Sequence, residues 1–152
     1  MKSKTRACAL LLSRKEIEQI LPPKEVIKAV EESYREFGLG TARVPPRIRV
    51  DMERYNGNIL VMPAYLTGMD ALGTKLVTTH LENSKFNLPT VIGTIILNDP
   101  KTGVPKAILD GTYITAMRTG AAGAVAAKYL SREDSSTVTI IGTGVQGRSQ
   151  LI

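Results

Sequence analysis

Ser136-Thr137-Val138-Thr139-Ile140-Ile141-Gly142-Thr143-Gly144-Val145-Gln146-Gly147 is the stretch on which the reading of this chain turns. Its first half is apolar and β-branched, the pattern of a short buried strand. Its second half is G-x-G-x-x-G. A strand running into that turn opens a dinucleotide-binding βαβ unit. The first glycine makes the tight turn, the second lets the backbone approach a pyrophosphate, and the third lets the next helix pack close. The helix, the second strand and the acidic residue expected about 20 residues on would fall past Ile152. An α/β Rossmann domain that is cut short is therefore expected from residue 132 onward. No Gly-Lys-Ser/Thr follows, which excludes a phosphate P-loop.

Working back from that turn, residues 131–135 form a polar linker. Before it, a long helix is expected over residues 112–130. Its Gly120, Gly123 and Ala127 give it a face of small residues on which another backbone can pack. Residues 47–52, 59–62, 73–79, 91–97 and 105–109 read as strands. Tyr55-Asn56-Gly57-Asn58 is a hairpin signal, and Asn98-Asp99-Pro100-Lys101-Thr102-Gly103 is a second turn cluster. Strands joined by short turns should be largely antiparallel. Upstream, residues 9–12 suggest a first strand, and Ser13-Arg14-Lys15-Glu16 is a capping box opening a short helix. Pro22-Pro23 ends it and starts another, in which Val26, Ile27, Val30, Tyr34 and Phe37 recur at helical spacing until Gly38 and Gly40. The expected fold class is α+β. Residues 1–131 form a mostly antiparallel sheet with helices, and residues 132–152 start the incomplete Rossmann domain.

Composition narrows the function classes. The formal charge of +6 on 152 residues invites a nucleic-acid reading. The basic residues are scattered among acids, however, as in Lys24-Glu25 and Arg132-Glu133-Asp134, and no aromatic-basic cluster is present to stack bases. One cysteine, Cys8, rules out an internal disulfide, and its setting Ala7-Cys8-Ala9-Leu10 favours a packed, inert thiol over a reactive one. Lys2, Lys4 and Arg6 precede too short an apolar run for a signal peptide. No run approaches the ~18 residues of a membrane span. A cytoplasmic protein is expected, without nucleic-acid or membrane partners.

Four groups can carry chemistry. Arg47 and Arg49 lie two apart on an expected strand, so both leave the same face, either as a carboxylate clamp or as a solvated sheet face. Lys75 interrupts the apolar run Leu72-Gly73-Thr74-Lys75-Leu76-Val77. It either snorkels to solvent or is a desolvated amine of lowered pKa, fit for proton transfer. Arg118-Thr119 is placed in the first turns of the long helix, where free N–H groups favour anions. The alternative is a surface arginine. His80 is the one histidine and reads as structural. No metal-ligand spacing and no nucleophile–base pair is visible.

In this order, these pieces resemble the ornithine cyclodeaminase / mu-crystallin family, nearest to its archaeal alanine dehydrogenase branch. The matching stretches are Val44-Pro45-Pro46-Arg47, Gly73-Thr74-Lys75-Leu76-Val77, Leu88-Pro89-Thr90-Val91, Asp99-Pro100-Lys101-Thr102-Gly103, Ile114-Thr115-Ala116-Met117-Arg118-Thr119-Gly120-Ala121-Ala122 and the glycine turn. The resemblance implies a homodimer formed through the N-terminal, substrate-binding domain, with the active site in a cleft beside an NAD-binding Rossmann domain. It implies that Arg47 and Arg118 grip a substrate carboxylate, and that Lys75 approaches the amino-acid head group and moves protons. It further implies that Thr90, Arg118, Thr119, Gly142, Gly144, Val145, Gln146 and Gly147 touch NAD. The implied activity is oxidative deamination of L-alanine to pyruvate and ammonia. Conversion of ornithine to proline, or a non-catalytic mu-crystallin-like binding module, is the alternative. The family's catalytic aspartate would belong to the part of the cofactor domain that is cut off.

Overall fold

The computed structural model describes residues 8–151; Lys2, Lys4, Arg6 and Ala7, weighed above as a leader, fall outside them. The chain runs through β1 (Leu10–Leu12) into α1 (Arg14–Ile20) and α2 (Pro23–Gly38). At the head of α1 the backbone N–H and hydroxyl of Ser13 both donate to the Glu16 carboxylate, at 2.8 and 2.6 Å. The expected cap is in place. Then come β2 (Ala42–Arg43), β3 (Ile48–Met52), β4 (Gly57–Leu66), β5 (Ala71–His80), β6 (Val91–Asn98) and β7 (Pro105–Asp110). The long helix α3 (Gly111–Leu130) and the short α4 (Val145–Ser149) follow. Short 3₁₀ turns cover Glu53–Tyr55 and Asn83–Phe86.

All seven strands join one sheet in the order β1-β7-β6-β5-β4-β2, with β3 also paired to β4. Every pairing is antiparallel except that of β1 with β7, the first and last strands of the chain. This is the expected α+β class. Strand β4 outruns its expected limits because it keeps pairing through Pro63. That residue falls after Val61, which pairs with β3, and before Tyr65, which pairs with β2. No second ladder requires its missing N–H there, so the proline is tolerated.

The helices cover one face of the sheet. Gly111, at the start of α3, packs backbone to backbone on Gly93 of β6, and the Gly93 N–H donates to Thr112 Oγ1 at 3.0 Å. On its other side α3 meets α2 through Val26, Met117 and Ala121, with Leu21, Ile27, Val30 and Tyr113 around them. The apolar periodicity of α2 is only half used, because Tyr34 and Phe37 are exposed. The residue that α2 buries most completely is Glu36, 1% exposed. Its carboxylate accepts the N–H groups of Gly68 and Met69 at 2.8 and 2.9 Å, clasping the β4–β5 turn. A buried carboxyl group satisfied in this way is a structural clasp.

Two expectations fail and a third holds in part. Cys8 is exposed, so the packed thiol does not form. Residues 136–141 make no strand; Val138 is 83% and Ile141 97% exposed. A parallel strand exists through a neighbour in its ladder, and among the described residues nothing pairs with this stretch. Arg118 lies in the first turns of α3 as expected, but not at its N-terminal N–H groups. The helix begins at Gly111, so Arg118 is about two turns in, beyond the reach of its free N–H groups.

Candidate functional site

Register places the candidate cations. Met62 of β4 pairs with Lys75 of β5, which pairs with Ile95 of β6. Because Ile48 pairs with Val61, Arg47 is carried next to Met62. Residues opposite one another on neighbouring strands share a face. The row Arg47, Met62, Lys75, Ile95 therefore lies on the face that α3 covers. Pro45-Pro46 supplies no N–H for a ladder, so β3 starts only after Arg47 and leaves that side chain at the rim. Arg118 comes over the same face from α3. Arg47 and Arg118 are exposed and Lys75 is half-buried.

The electrostatics record this convergence. Burial pushes the Lys75 ammonium down to about 8, with the positive charges of Arg118 and then Arg47 adding to it. No carboxylate opposes the shift. Among the described residues none of the three cations has an ion-pair partner. Three facing cations without a counter-charge make a wall that suits a carboxylate, and a lysine titrating near 8 can take up or release a proton close to neutral pH. Arg49 shares the face but not the task. It turns to Asp51, with Nη2 2.7 Å from Oδ1. Of the two arginines read from the same strand, only Arg47 joins the cluster.

The glycine turn lies against the other side of α3. A side chain at Gly120 would collide with the backbone carbonyl of Ser149, and one at Gly123 with the Gln150 amide. The small-residue face of α3 is thus the seat of α4. Gly142 adopts φ +101°, a conformation that needs glycine, and a side chain at Gly147 would strike the Gly142 carbonyl. Around Gly144, by contrast, nothing stands within 4 Å of where a side chain would begin. The turn at Gly142, the tight contact at Gly147 and the open backbone at Gly144 are present, but no strand leads into them. Val145 opens α4, and Gln146 and Gly147 line a groove with Gly123, Ala127, Val138 and Ile140.

The two threonines are placed differently. Thr119 lies beside the turn, and its carbonyl accepts from Gln150 Nε2 at 3.3 Å. Its hydroxyl is turned back on Thr115 O at 2.8 Å. Thr90 precedes β6 in an exposed loop, and its carbonyl accepts the His80 N–H at 2.9 Å. His80 itself packs its ring over Gly57, a structural role. Among the described residues no group of His, Cys, Asp and Glu could hold a metal ion.

Sequence reasoning missed two residues. Met62 stands between Arg47 and Lys75, yet nothing in an apolar strand distinguishes it before its register is known. Thr115 Oγ1 is buried without a hydrogen-bond partner, one turn ahead of Arg118 and Thr119. A threonine in a helix interior that does not bond back to the helix is a weak signal at best.

The cationic row on the sheet and the glycine turn seated on α3 belong to one α+β chain. The chain belongs to the ornithine cyclodeaminase/mu-crystallin family, whose sequence profile matches residues 8–152. It is 44% identical over 142 residues to the alanine dehydrogenase of Archaeoglobus fulgidus, covering 93% of this chain and 43% of that protein. The structure of the Thermococcus litoralis Delta(1)-pyrroline-2-carboxylate reductase, in complex with NADH and L-proline, superposes with a TM-score of 0.88 at 53% identity, over 93% of this chain and 44% of the reductase. A dimeric archaeal alanine dehydrogenase with bound NAD superposes with a TM-score of 0.89 at 44% identity, over 94% and 43% of the two chains. The chain therefore spans less than half the length of these relatives.

Proposed function

We propose that residues 1–131 are the substrate-binding and dimerising domain, and residues 132–152 the start of the cofactor domain, of an NAD-dependent enzyme that oxidises a small 2-amino acid, with L-alanine as the expected substrate. The observation that carries this reading is the convergence of Arg47, Lys75 and Arg118, unpaired, on one wall of the sheet. Arg47 and Arg118 would hold the substrate carboxylate. Lys75, neutral in an appreciable fraction near pH 8, would take a proton from the substrate ammonium, because only the free amine can become an imine. The open approach at Gly144 and the turn at Gly142 fit a pyrophosphate. The residues assigned to the cofactor are Thr90, Arg118, Thr119, Gly142, Gly144, Val145, Gln146 and Gly147. NAD held there would supply the acceptor for a hydride from the substrate Cα. Water addition to the resulting imine and loss of ammonia then give the 2-keto acid: L-alanine, NAD+ and water become pyruvate, NADH, ammonium and one proton.

The likeness to the Thermococcus reductase favours a second reading, in which the same wall holds a cyclic imino acid and protonated Lys75 acts as the proton donor. The same groups serve both, with the proton moving in opposite directions. A chimera joining residues 1–152 to the remaining cofactor domain of the Archaeoglobus enzyme separates them. NADH formation from L-alanine supports the dehydrogenase, and NADH consumption with pyrroline-2-carboxylate supports the reductase. In the active direction Lys75→Ala should lower kcat by about 100-fold or more. Unchanged kcat would refute the role given to Lys75. Residues 1–152 alone should form no measurable NADH from alanine.

A further inference from the structure

The elements around Lys75 give it no counter-charge. Strands β4, β5 and β6 and helix α3 contain no aspartate or glutamate at all. Across its two ladders Lys75 meets Met62 and Ile95, neither of which titrates. The charged groups that face it are Arg47, just ahead of β3, and Arg118 of α3. Asp51, the one acid of β3, is taken up by Arg49. Lys75 is nevertheless only half-buried, so a small molecule can reach it from solvent.

An ammonium is inert, whereas a neutral amine is a nucleophile, and desolvation beside other cations is what keeps an amine neutral. At about pH 8 an amine that titrates near 8 is about half neutral, against less than about 1% for an ordinary lysine. Carbon dioxide is a small uncharged electrophile for such an amine. Attack of Lys75 Nζ on its carbon forms an N–C bond and moves one C–O π pair onto oxygen. The nitrogen then gives a proton to water, leaving a carbamate anion, with no oxidant or reductant involved. The charge at residue 75 changes from positive to negative beside two arginines that have no other partner, and arginine pairs strongly with a carboxylate-like anion. We propose that Lys75 is a carbamylation site for carbon dioxide, with the carbamate held by Arg47 and Arg118. The carbamate occupies the arginines and removes the basic amine, so carbon dioxide reversibly blocks any carboxylate that this wall binds. The inference needs the three cations together and does not depend on the amino-acid activity proposed for them.

Carbon NMR of the 152-residue chain in isotopically labelled bicarbonate, at about pH 8, tests it. A carbamate should give a resonance apart from those of bicarbonate and carbon dioxide. The α-amino group, which also titrates near 8, can add a resonance of its own, and only the Lys75 resonance should vanish in Lys75→Met. Trapping with a trialkyloxonium salt and peptide mass spectrometry place the ester on Lys75 in the unaltered chain, even if that variant fails to fold. Arg118→Gln should lower the carbamate population about fivefold or more, because the change both protonates the amine and removes a partner of the anion. Excess L-lactate should displace it. An unmodified Lys75 that still titrates near 8 overturns the carbamate and leaves the cationic wall standing. A carbamate undiminished in both Arg118→Gln and Arg47→Gln overturns the holding role of the arginines and the proposal with it. An amine at its ordinary 10.5 overturns the wall and the carbamate together.

Discussion

At the scale of single residues, Lys75 is the most informative group. Its interruption of an apolar strand was visible in the sequence, and so was the choice between snorkelling and desolvation. What decides between them is the approach of Arg118 from a helix about 40 positions later and of Arg47 from two strands away, and spacing contains neither. A lysine whose folded pKa falls from 10.5 to about 8 binds fewer protons than its unfolded counterpart between those values. The folded state is therefore penalised below about pH 8 and gains stability as pH rises from about 8 toward 10.5. Lys75→Met should remove that rise in urea-unfolding curves; an unchanged slope would place the amine in solvent. Arg47 and Arg49 make a second contrast, identical in type and face but separated by the Asp51 ion pair. Arg47→Ala should weaken carboxylate binding about tenfold or more, whereas Arg49→Ala should leave it within about twofold, as read by NMR titration with L-lactate. Cys8 shows the limit of neighbours in sequence as a guide, since an apolar run at a chain end need not be covered.

At the scale of elements, caps, turns and small-residue faces were legible because they act locally. The Ser13–Glu16 cap, the turn at Asn56, with its φ of +45°, and the α3 face that seats α4 all follow from residue type. Pairing partners were not legible. The β-branched stretch 136–141 has strand propensity but no ladder, and β2 has almost no propensity yet pairs with Leu66 and Tyr65. Strand formation is a property of two segments, so one of them read alone is not decisive. Two substitutions test the elements. Gly120→Val should displace α4, costing about 1–3 kcal/mol and speeding amide exchange over residues 145–150, whereas Gly38→Ala, with nothing within 4 Å, should not. Glu36→Ala leaves the buried N–H groups of Gly68 and Met69 unsatisfied. A loss of about 2–4 kcal/mol is expected, or roughly 5–15 °C in Tm by circular dichroism. A Tm within a degree of the parent would mean that the β4–β5 turn is held by something else.

At the scale of the whole molecule, one face of the sheet carries α3 and the cationic wall. The other presents apolar side chains, among them Ile48 (60% exposed), Val50, Ile92 and Ile108. A patch of this kind fits the homodimer proposed for the N-terminal domain. Sedimentation should find a dimer that Val50→Glu converts to monomer; a monomeric parent would refute that use of the face. No described helix is long and apolar enough to cross a membrane. The central claim is that Arg47, Lys75 and Arg118 together form a carboxylate-binding wall, and the titration of the Lys75 side chain by NMR, with and without L-lactate as an unreactive analogue, tests it most directly. The account predicts a free pKa of about 8 that rises when the lactate carboxylate neutralises the two arginines. A lysine that titrates at its ordinary 10.5 and ignores lactate would contradict it.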